Sequence, residues 1–315
     1  MPGWYNTHMK LFYKKIRFTL AFAGELRFPV PPAFVFRSII GAQLHRICCI
    51  AHGVKCPDCM FSGTCAYGFA FESILPRDNP VLSGRDRISH PVIIETESFL
   101  EKPGDSLGLY LIFLGPAIKY LPYFFYALKK GGEAGILRER VPFRVTGVFD
   151  DGHELLEDEE TLNTRFEPDV WEYVPGDGAV KQRRLMVQML SPLRFKVQGH
   201  YDDSFSAADF ALCLHRRTRT LCSQYGVVHD NDVEGGYYFS EAWAIKERNL
   251  VWRDFAHYSA RQRKTMQFGG LTGSMVLEGA FSAYEYACLG FAEIFHAGKN
   301  TNFGLGRVTV WAKEG

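Results

Sequence analysis

Predicted strands and helices follow one another in the same order in both halves of the chain: strand, helix, strands, helix, strand. The predictions rest on apolar residues that alternate in strands and recur every three or four positions in helices. In the first half these elements are the strand 14–28, the helix 34–50, strands at 67–73, 90–99 and 105–115, the helix 117–130 and the strand 141–152. This order predicts helices that pack on an antiparallel sheet.

The second half repeats the order. Its predicted elements are a strand pair or long bent strand at 181–199, the helix 206–226, strands at 235–247 and 264–279, the helix 283–298 and the strand 304–312. Ser206 and Asp209 predict a capping box at the start of the first of these helices, and Gly226 predicts a left-handed end. The fold class expected is α+β, with tandem ferredoxin-like (RRM-like) units that have antiparallel sheets.

An acidic, polar stretch separates the two halves. We expect an N-terminal ferredoxin-like unit over 1–155 with a cysteine-containing insertion, a linker region over 156–178, and a C-terminal ferredoxin-like unit over 179–315 with a glycine-rich loop. The 47% hydrophobic content suffices for a core in each unit.

The net charge of +1 means that any binding of nucleic acid must come from local clusters of cations. The first residues lack the apolar run and small-residue cleavage site of a signal peptide, and no apolar run reaches membrane-spanning length, so we expect a cytoplasmic protein that does not contact membranes. In that compartment the eight cysteines are reduced thiols or metal ligands.

The stretch "GKNTNFGLGR", residues 298–307, concentrates glycine and cations before the last predicted strand. A nucleotide phosphate loop is excluded because Glu293 stands where its first glycine is required. One interpretation is a helix end and a β-bulge. The other is a phosphate-binding loop, to which Gly298, Gly304 and Gly306 give bare amides and close backbone approach, while Lys299 and Arg307 give charge.

The same stretch resembles the glycine-rich loop of the CRISPR-associated RAMP superfamily. Other stretches resemble the precursor-crRNA processing endoribonucleases of that superfamily in the right order: "FRSIIGAQLHRICC", "CPDCMFSGTCAYGFAFE", "SPLRFK" and "DFAHYSARQRKTMQFGGLTG". The resemblance covers nearly the whole chain. It implies a protein that binds a CRISPR repeat in RNA and cuts it without metal, leaving a 2′,3′-cyclic phosphate.

In related enzymes a catalytic histidine commonly lies in or just after the first helix, which points to His45 here. Histidine suits proton transfer. Arg37, Gly41 and His45 follow one another at four-residue spacing, away from the helical stripe of Phe36, Ile40, Leu44 and Ile47. Arg37 and Arg46 are the expected catalytic companions of His45. The alternative is an ordinary, partly exposed histidine, in which case His52, His296 or a tyrosine would transfer the proton.

Basic residues also cluster on the helix 206–226, where His215 accompanies Arg216, Arg217 and Arg219. Two further clusters lie at 181–184 and 261–264. These residues either follow an RNA backbone or form solvated faces.

The segment after the first helix offers His52, Cys56, Cys59 and Cys65 as a tetrahedral set for a structural zinc, with Cys48 or Cys49 as competing ligands. The alternative is that the cysteines are reduced thiols that pack a loop. No cofactor is expected for catalysis.

Three functions remain open from the sequence: an endoribonuclease, a non-catalytic crRNA-binding RAMP protein of an interference complex, and a zinc-stabilised interaction module. The expected partners are CRISPR repeat RNA or crRNA, other CRISPR-associated proteins, and a second copy of the chain in a homodimer.

Overall fold

The computed structural model describes residues 7–73, 88–176, 181–201, 203–229, 241–259 and 264–313. It divides into two compact units. Phe12–Asp169 form one, called here the N-terminal unit, and Met1–Leu11 with Val170–Gly315 form the other, called the C-terminal unit. The division after Asp169 falls inside the predicted linker, and the first residues of the chain belong to the C-terminal unit.

The N-terminal unit has the element order strand, helix, two strands, helix, two strands. Its elements are β1 (His8–Leu26, whose first residues lie in the C-terminal unit), α1 (Pro32–Cys48), β2 (Val92–Thr96), β3 (Gly104–Leu114), α2 (Leu121–Ala134), β4 (Phe143–Asp150) and β5 (His153–Glu154).

The sheet of this unit has the strand order β2-β3-β1-β4-β5, and each neighbouring pair is antiparallel. Alternation places every second residue of β1 in the core. Phe18, for example, pairs with Leu109 on one side and Val148 on the other, and all three side chains are fully buried. Helix α1 packs against α2 and adds Phe36, Ile40 and Leu44 to the same core, so the predicted apolar stripe is buried.

The C-terminal unit has the same succession of elements with short additions. Its elements are β6 (Asp169–Tyr173), β7 (Lys181–Leu193), β8 (Lys196–Val197), β9 (His200–Tyr201), α3 (Ala207–Tyr225), β10 (Val227–His229), β11 (Trp243–Ser259), β12 (Lys264–Phe281), α4 (Ala283–Phe295) and β13 (Val308–Ala312).

Its main sheet has the antiparallel order β11-β12-β7-β13. In both units the first and third strands of the motif lie in the centre, and the second and fourth lie beside them. Two such sheets, each with a pair of helices packed together, form the tandem ferredoxin-like arrangement, which confirms the predicted fold class.

Two local predictions differ from the structure. Gly226 follows α3 with a φ of −128°, not in the left-handed region. Glycine is needed there because a Cβ would lie 2.1 Å from the carbonyl oxygen of Lys10 on β1. Residues 67–73, predicted as a strand, form a turn of π-helix over Gly68–Glu72.

Among the described residues, no helix has the length and apolar character needed to cross a membrane.

Candidate functional site

One face of α1 carries the predicted catalytic residues. Arg37, Gly41 and His45 are spaced by four residues and lie opposite the π-helical turn, called here the aromatic turn (Tyr67–Glu72). The rings of His45 and Tyr67 meet in a T-shaped arrangement, with ring centroids 4.8 Å apart and planes at 78°. The Arg37 guanidinium lies 5.2 Å from the centre of the Phe71 ring.

Gly41 allows this close approach. A Cβ at position 41 would lie 2.8 Å from Cε1 of Phe71, closer than carbon atoms pack. Tyr67 and Phe71 are stacked, with centroids 5.7 Å apart, and the Tyr67 hydroxyl donates to Glu72 over 3.1 Å. The aromatic turn therefore supports one side of His45 and leaves the remainder of its ring open.

Exposure separates the three predicted catalytic side chains. His45 and Arg46 are exposed, whereas Arg37 is half-buried against Phe71. His45 and Arg46 lie in the last turn of α1, whose carbonyl end favours positive charge. The helix thus presents an imidazole and a neighbouring guanidinium to solvent, which suits proton transfer and stabilisation of a phosphorane.

The glycine-rich loop joins α4 to β13 by a tight, internally bonded path. Gly298, Gly304 and Gly306 have φ values of 75°, 79° and 77°, in the region that favours glycine. Side chains could not replace two of them without displacing backbone, because a Cβ would lie 2.3 Å from the Arg194 carbonyl oxygen at Gly298 and 1.9 Å from that of Ala297 at Gly306.

The amides of this loop are mostly used inside the protein. Gly304 donates to the Thr301 carbonyl and Gly306 to the Pro192 carbonyl, each over 2.9 Å, and both glycines are buried. They shape the loop and do not present bare amides, which corrects the prediction on this point. Lys299 is exposed and Arg307 is half-buried.

Arg217 differs most from its prediction as an RNA contact. It is 9% exposed, and its guanidinium donates to the Phe295 carbonyl (2.9 Å), the His296 carbonyl (3.3 Å) and the Thr301 hydroxyl (2.8 Å). Burial lowers the pKa of Arg217 to about 10. Arg217 therefore ties the end of α4 to the glycine-rich loop from inside, because it meets carbonyls that the helix itself leaves unpaired.

The other basic residues differ in their exposure and in their contacts. Arg216 is exposed and Arg219 is half-buried on α3. In the cluster at 181–184, Arg184 forms ion pairs with Glu247 and Glu278, and Arg183 lies over Tyr286. Of the cluster at 261–264, residues 261–263 lie outside the described residues.

Two histidines near the loop are buried. His296 is fully buried, and its Nδ1 lies 3.0 Å from the Leu305 carbonyl oxygen, which removes it as a substitute for His45 in proton transfer. His215 is 5% exposed, and its Nδ1 lies 2.6 Å from the Tyr284 hydroxyl. Burial, with the charges of Arg219 and Arg216, lowers the pKa of His215 to about 4.

The cysteine segment does not assemble the predicted zinc set. Within the described ranges, no three histidine, cysteine or acidic side chains lie close enough together to hold a metal, so His52, Cys56, Cys59 and Cys65 are not gathered and a zinc site is not supported. His52 stands on an exposed turn, and the Cys65 thiol donates to the Cys48 carbonyl over 3.8 Å. Burial raises the pKa of Cys56, which favours its thiol over the thiolate that binds zinc.

Sequence reasoning missed the aromatic turn and the internal role of Arg217. The four-residue spacing of Tyr67 and Phe71 is a helical signal, and Gly41 marks a close approach on α1, but no local pattern joins the two segments. No feature of the sequence distinguishes Arg217 from Arg216, because the difference arises from the rotation of α3 against α4.

Two family models match successive parts of the chain. Residues 10–168 match the model AF_1859_N, described as an N-terminal domain, and residues 187–308 match the model described as CRISPR-associated endoribonuclease Cas6. A comparison with curated proteins gives no match.

Solved structures with a similar fold include two that contain Cas6. A product complex of Cas6 (TTHB231), from Thermus thermophilus, has a TM-score of 0.52 at 14% identity, with 95% of this chain and 99% of that chain covered. A partial Cas6-RT-Cas1–Cas2 complex has a TM-score of 0.53 at 12% identity, with 96% of this chain and 46% of that chain covered. Structural matches at such low sequence identity show that the fold is similar. The match to the Cas6 family model identifies the domain over residues 187–308. The chain therefore contains an N-terminal domain of the AF_1859_N family over residues 10–168 and a CRISPR-associated endoribonuclease Cas6 domain over residues 187–308.

Proposed function

We propose that this protein binds a CRISPR repeat in RNA and cuts it without a metal ion, leaving a 2′,3′-cyclic phosphate. The observation that carries the proposal is the match of residues 187–308 to the Cas6 endoribonuclease model. In the reaction, the 2′-oxygen loses its proton and bonds to the adjacent phosphorus, while the bond from phosphorus to the 5′-oxygen breaks and that oxygen gains a proton.

His45 is the proposed proton-transfer group. It is exposed at the end of α1, its ring packs against that of Tyr67, and histidine is the side chain most often used for general acid–base catalysis. Arg46, exposed beside it, is the proposed partner for the charge that accumulates on the phosphate oxygens. Arg37, held over Phe71, keeps the aromatic turn against α1 and is proposed to act through it.

The RNA backbone is proposed to follow the glycine-rich loop and α3. Lys299 and Arg307 extend from the loop, while Arg216 and Arg219 extend from α3. Gly298, Gly304 and Gly306 allow the backbone conformation of the loop. Arg217 stabilises that conformation through its hydrogen bond to Thr301. These cations suit phosphate contacts, which are charge-assisted and independent of base sequence.

The test is incubation of the purified protein with CRISPR repeat RNA from its own genome, in EDTA and separately in Mg²⁺. We expect cutting at one position in both buffers. We also expect that a radiolabelled adaptor can be ligated to the 3′ end of the product only after the cyclic phosphate has been hydrolysed and the resulting phosphate removed. Cutting in Mg²⁺ alone refutes the metal-independent mechanism. Tight binding without cutting indicates the non-catalytic crRNA-binding role, and the lack of both indicates an interaction module.

Association with other CRISPR-associated proteins is a second part of the proposal. One structure of similar fold is a complex that contains Cas6, RT, Cas1 and Cas2. The assembly of this chain, as a monomer or homodimer or with such proteins, is measured by sedimentation with and without RNA.

A further inference from the structure

A short hairpin beside the glycine-rich loop carries an exposed tyrosine between cations. Strands β8 and β9 pair through Lys196 with Tyr201 and Val197 with His200, and the turn between them uses positive φ at Gln198 and Gly199. Tyr201 is 37% exposed. We propose that Tyr201 stacks on an unpaired base of the bound RNA, an inference that rests on the proposed function and adds a base-binding subsite to it.

The first observation is the set of cations around the ring. The Arg194 guanidinium lies 3.8 Å from the centre of the Tyr201 ring, and the Lys196 ammonium lies 5.3 Å from it. Because Lys196 and Tyr201 are directly opposed, their side chains share one face of the hairpin. An aromatic ring among cations is the arrangement by which proteins hold a base and its phosphates in single-stranded nucleic acid.

The second observation is that the hairpin is fixed at its base. Phe195 before it and Phe205 after it are buried, and their rings meet with centroids 5.1 Å apart. Both also contact Phe210 of α3. Tyr201 therefore stands on a support that is already ordered, so stacking a base on it costs little conformational entropy.

The third observation joins the hairpin to the glycine-rich loop. The Arg194 guanidinium donates to the Gly269 carbonyl over 3.0 Å and so stays in place beside Tyr201. The carbonyl of the same residue accepts from the Lys299 amide over 2.7 Å, and its oxygen lies against Gly298. The glycine-rich loop and the hairpin thus both contact Arg194. This arrangement places Lys299 where it can bind the phosphate next to the stacked base.

The experiment compares three variants in binding to the repeat RNA. Tyr201→Ala removes the ring, Tyr201→Phe keeps it, and Tyr286→Ala removes a matched tyrosine on α4 that is 48% exposed with Arg183 5.2 Å from its ring centre. We expect Tyr201→Ala to weaken binding roughly 5- to 150-fold, as loss of one base–aromatic stack does. Tyr201→Phe and Tyr286→Ala are expected to bind within about twofold of the parent.

A second measurement needs no substitution. Ultraviolet crosslinking of the parent protein to unmodified repeat RNA, followed by mass spectrometry, is expected to give a base adduct on the peptide that contains Tyr201. Equal affinity of the parent and Tyr201→Ala, or adducts confined to other peptides, overturns the inference. A parent that binds but does not cut refutes only the catalytic part of the proposed function, and a parent that binds no repeat RNA refutes both.

Discussion

At the scale of single residues, exposure separates His45 from two other histidines considered in the sequence. His45 is exposed, whereas His215 and His296 are buried against Tyr284 and Leu305. The sequence suggested His45 by its place on the first helix, His215 as part of a basic cluster, and His296 as an alternative proton-transfer group. The helical stripe gave the correct side for His45, but nothing local revealed the burial of the other two.

We expect His45→Ala to slow single-turnover cleavage of repeat RNA by at least about a hundredfold, because a positioned proton-transfer group contributes on the order of 100- to 10,000-fold. RNA affinity should change little, since one exposed imidazole neutralises little phosphate charge. His52→Ala, a substitution of an exposed histidine on the next turn, is the control. Cleavage by His45→Ala at nearly the parental rate would assign proton transfer to another group.

The buried His215 makes stability depend on pH. Its pKa is lowered to about 4 in the fold from an ordinary 6.5, so between these values the unfolded chain binds more protons. The stabilisation is fully present above pH 6.5 and is lost as the pH falls to about 4, by on the order of 3 kcal/mol.

Urea unfolding at pH 7.5 and pH 4.5 measures this loss. His215→Gln keeps a polar group beside the Tyr284 hydroxyl but does not titrate, so we expect its stability to fall less than that of the parent. Parallel losses in the two proteins would contradict the assignment.

At the scale of elements, the sequence predicted best what neighbouring residues decide. Ser206 and Asp209 form the predicted capping box, with the Asp209 amide 3.1 Å from the Ser206 hydroxyl. The segment 67–73 was predicted wrongly because its aromatic residues alternate with small ones, as in a strand. In the structure, Phe71 of this segment packs against Gly41 on α1, a contact between residues distant in sequence that no local pattern reveals.

The glycine-rich loop offers a matched pair of substitutions. Gly306→Ala puts a Cβ 1.9 Å from the Ala297 carbonyl oxygen at a φ of 77°, so we expect a destabilisation of about 1–3 kcal/mol. Gly290→Ala lies inside α4, where the new Cβ would meet no atom within 4 Å apart from its chain neighbours and the helix's own backbone, and should instead stabilise by about 0.5–1 kcal/mol.

Thermal unfolding compares the two variants with the parent, and RNA affinity should fall only for Gly306→Ala. An unchanged melting temperature for Gly306→Ala would show that the loop has a different path.

At the scale of the whole molecule, a net charge of +1 coexists with local clusters of cations that we propose to bind phosphate. The sequence predicted two α+β units, but it did not predict that Met1–Leu11 join the unit formed by Val170–Gly315. Strand pairing between distant segments has no local signature. Contacts between distant segments also explain why the sequence indicated the cations of the glycine-rich loop but not the role of Arg217, which supports that loop from α3.

Local cations should make RNA binding strongly dependent on salt despite the near-neutral total. We expect the logarithm of affinity to fall linearly with the logarithm of salt concentration, and Lys299→Ala to reduce the slope by about 0.7–0.9, the value for one phosphate contact. Lys102→Ala, which removes an exposed lysine of the N-terminal unit, should leave the slope unchanged. Identical slopes for parent and Lys299→Ala would remove Lys299 from the RNA surface.

The pairing of His8, Met9 and Lys10 with His229, Val228 and Val227 has a consequence for biosynthesis. Phe12–Asp169 is continuous and can fold as it leaves the ribosome, since all of its segments emerge in succession. The C-terminal unit instead joins Met1–Leu11 to Val170–Gly315, so it cannot form until residues 170–315 have also been synthesised. Until then His8, Met9 and Lys10 cannot form the strand pairing with residues 227–229 that they have in the folded protein.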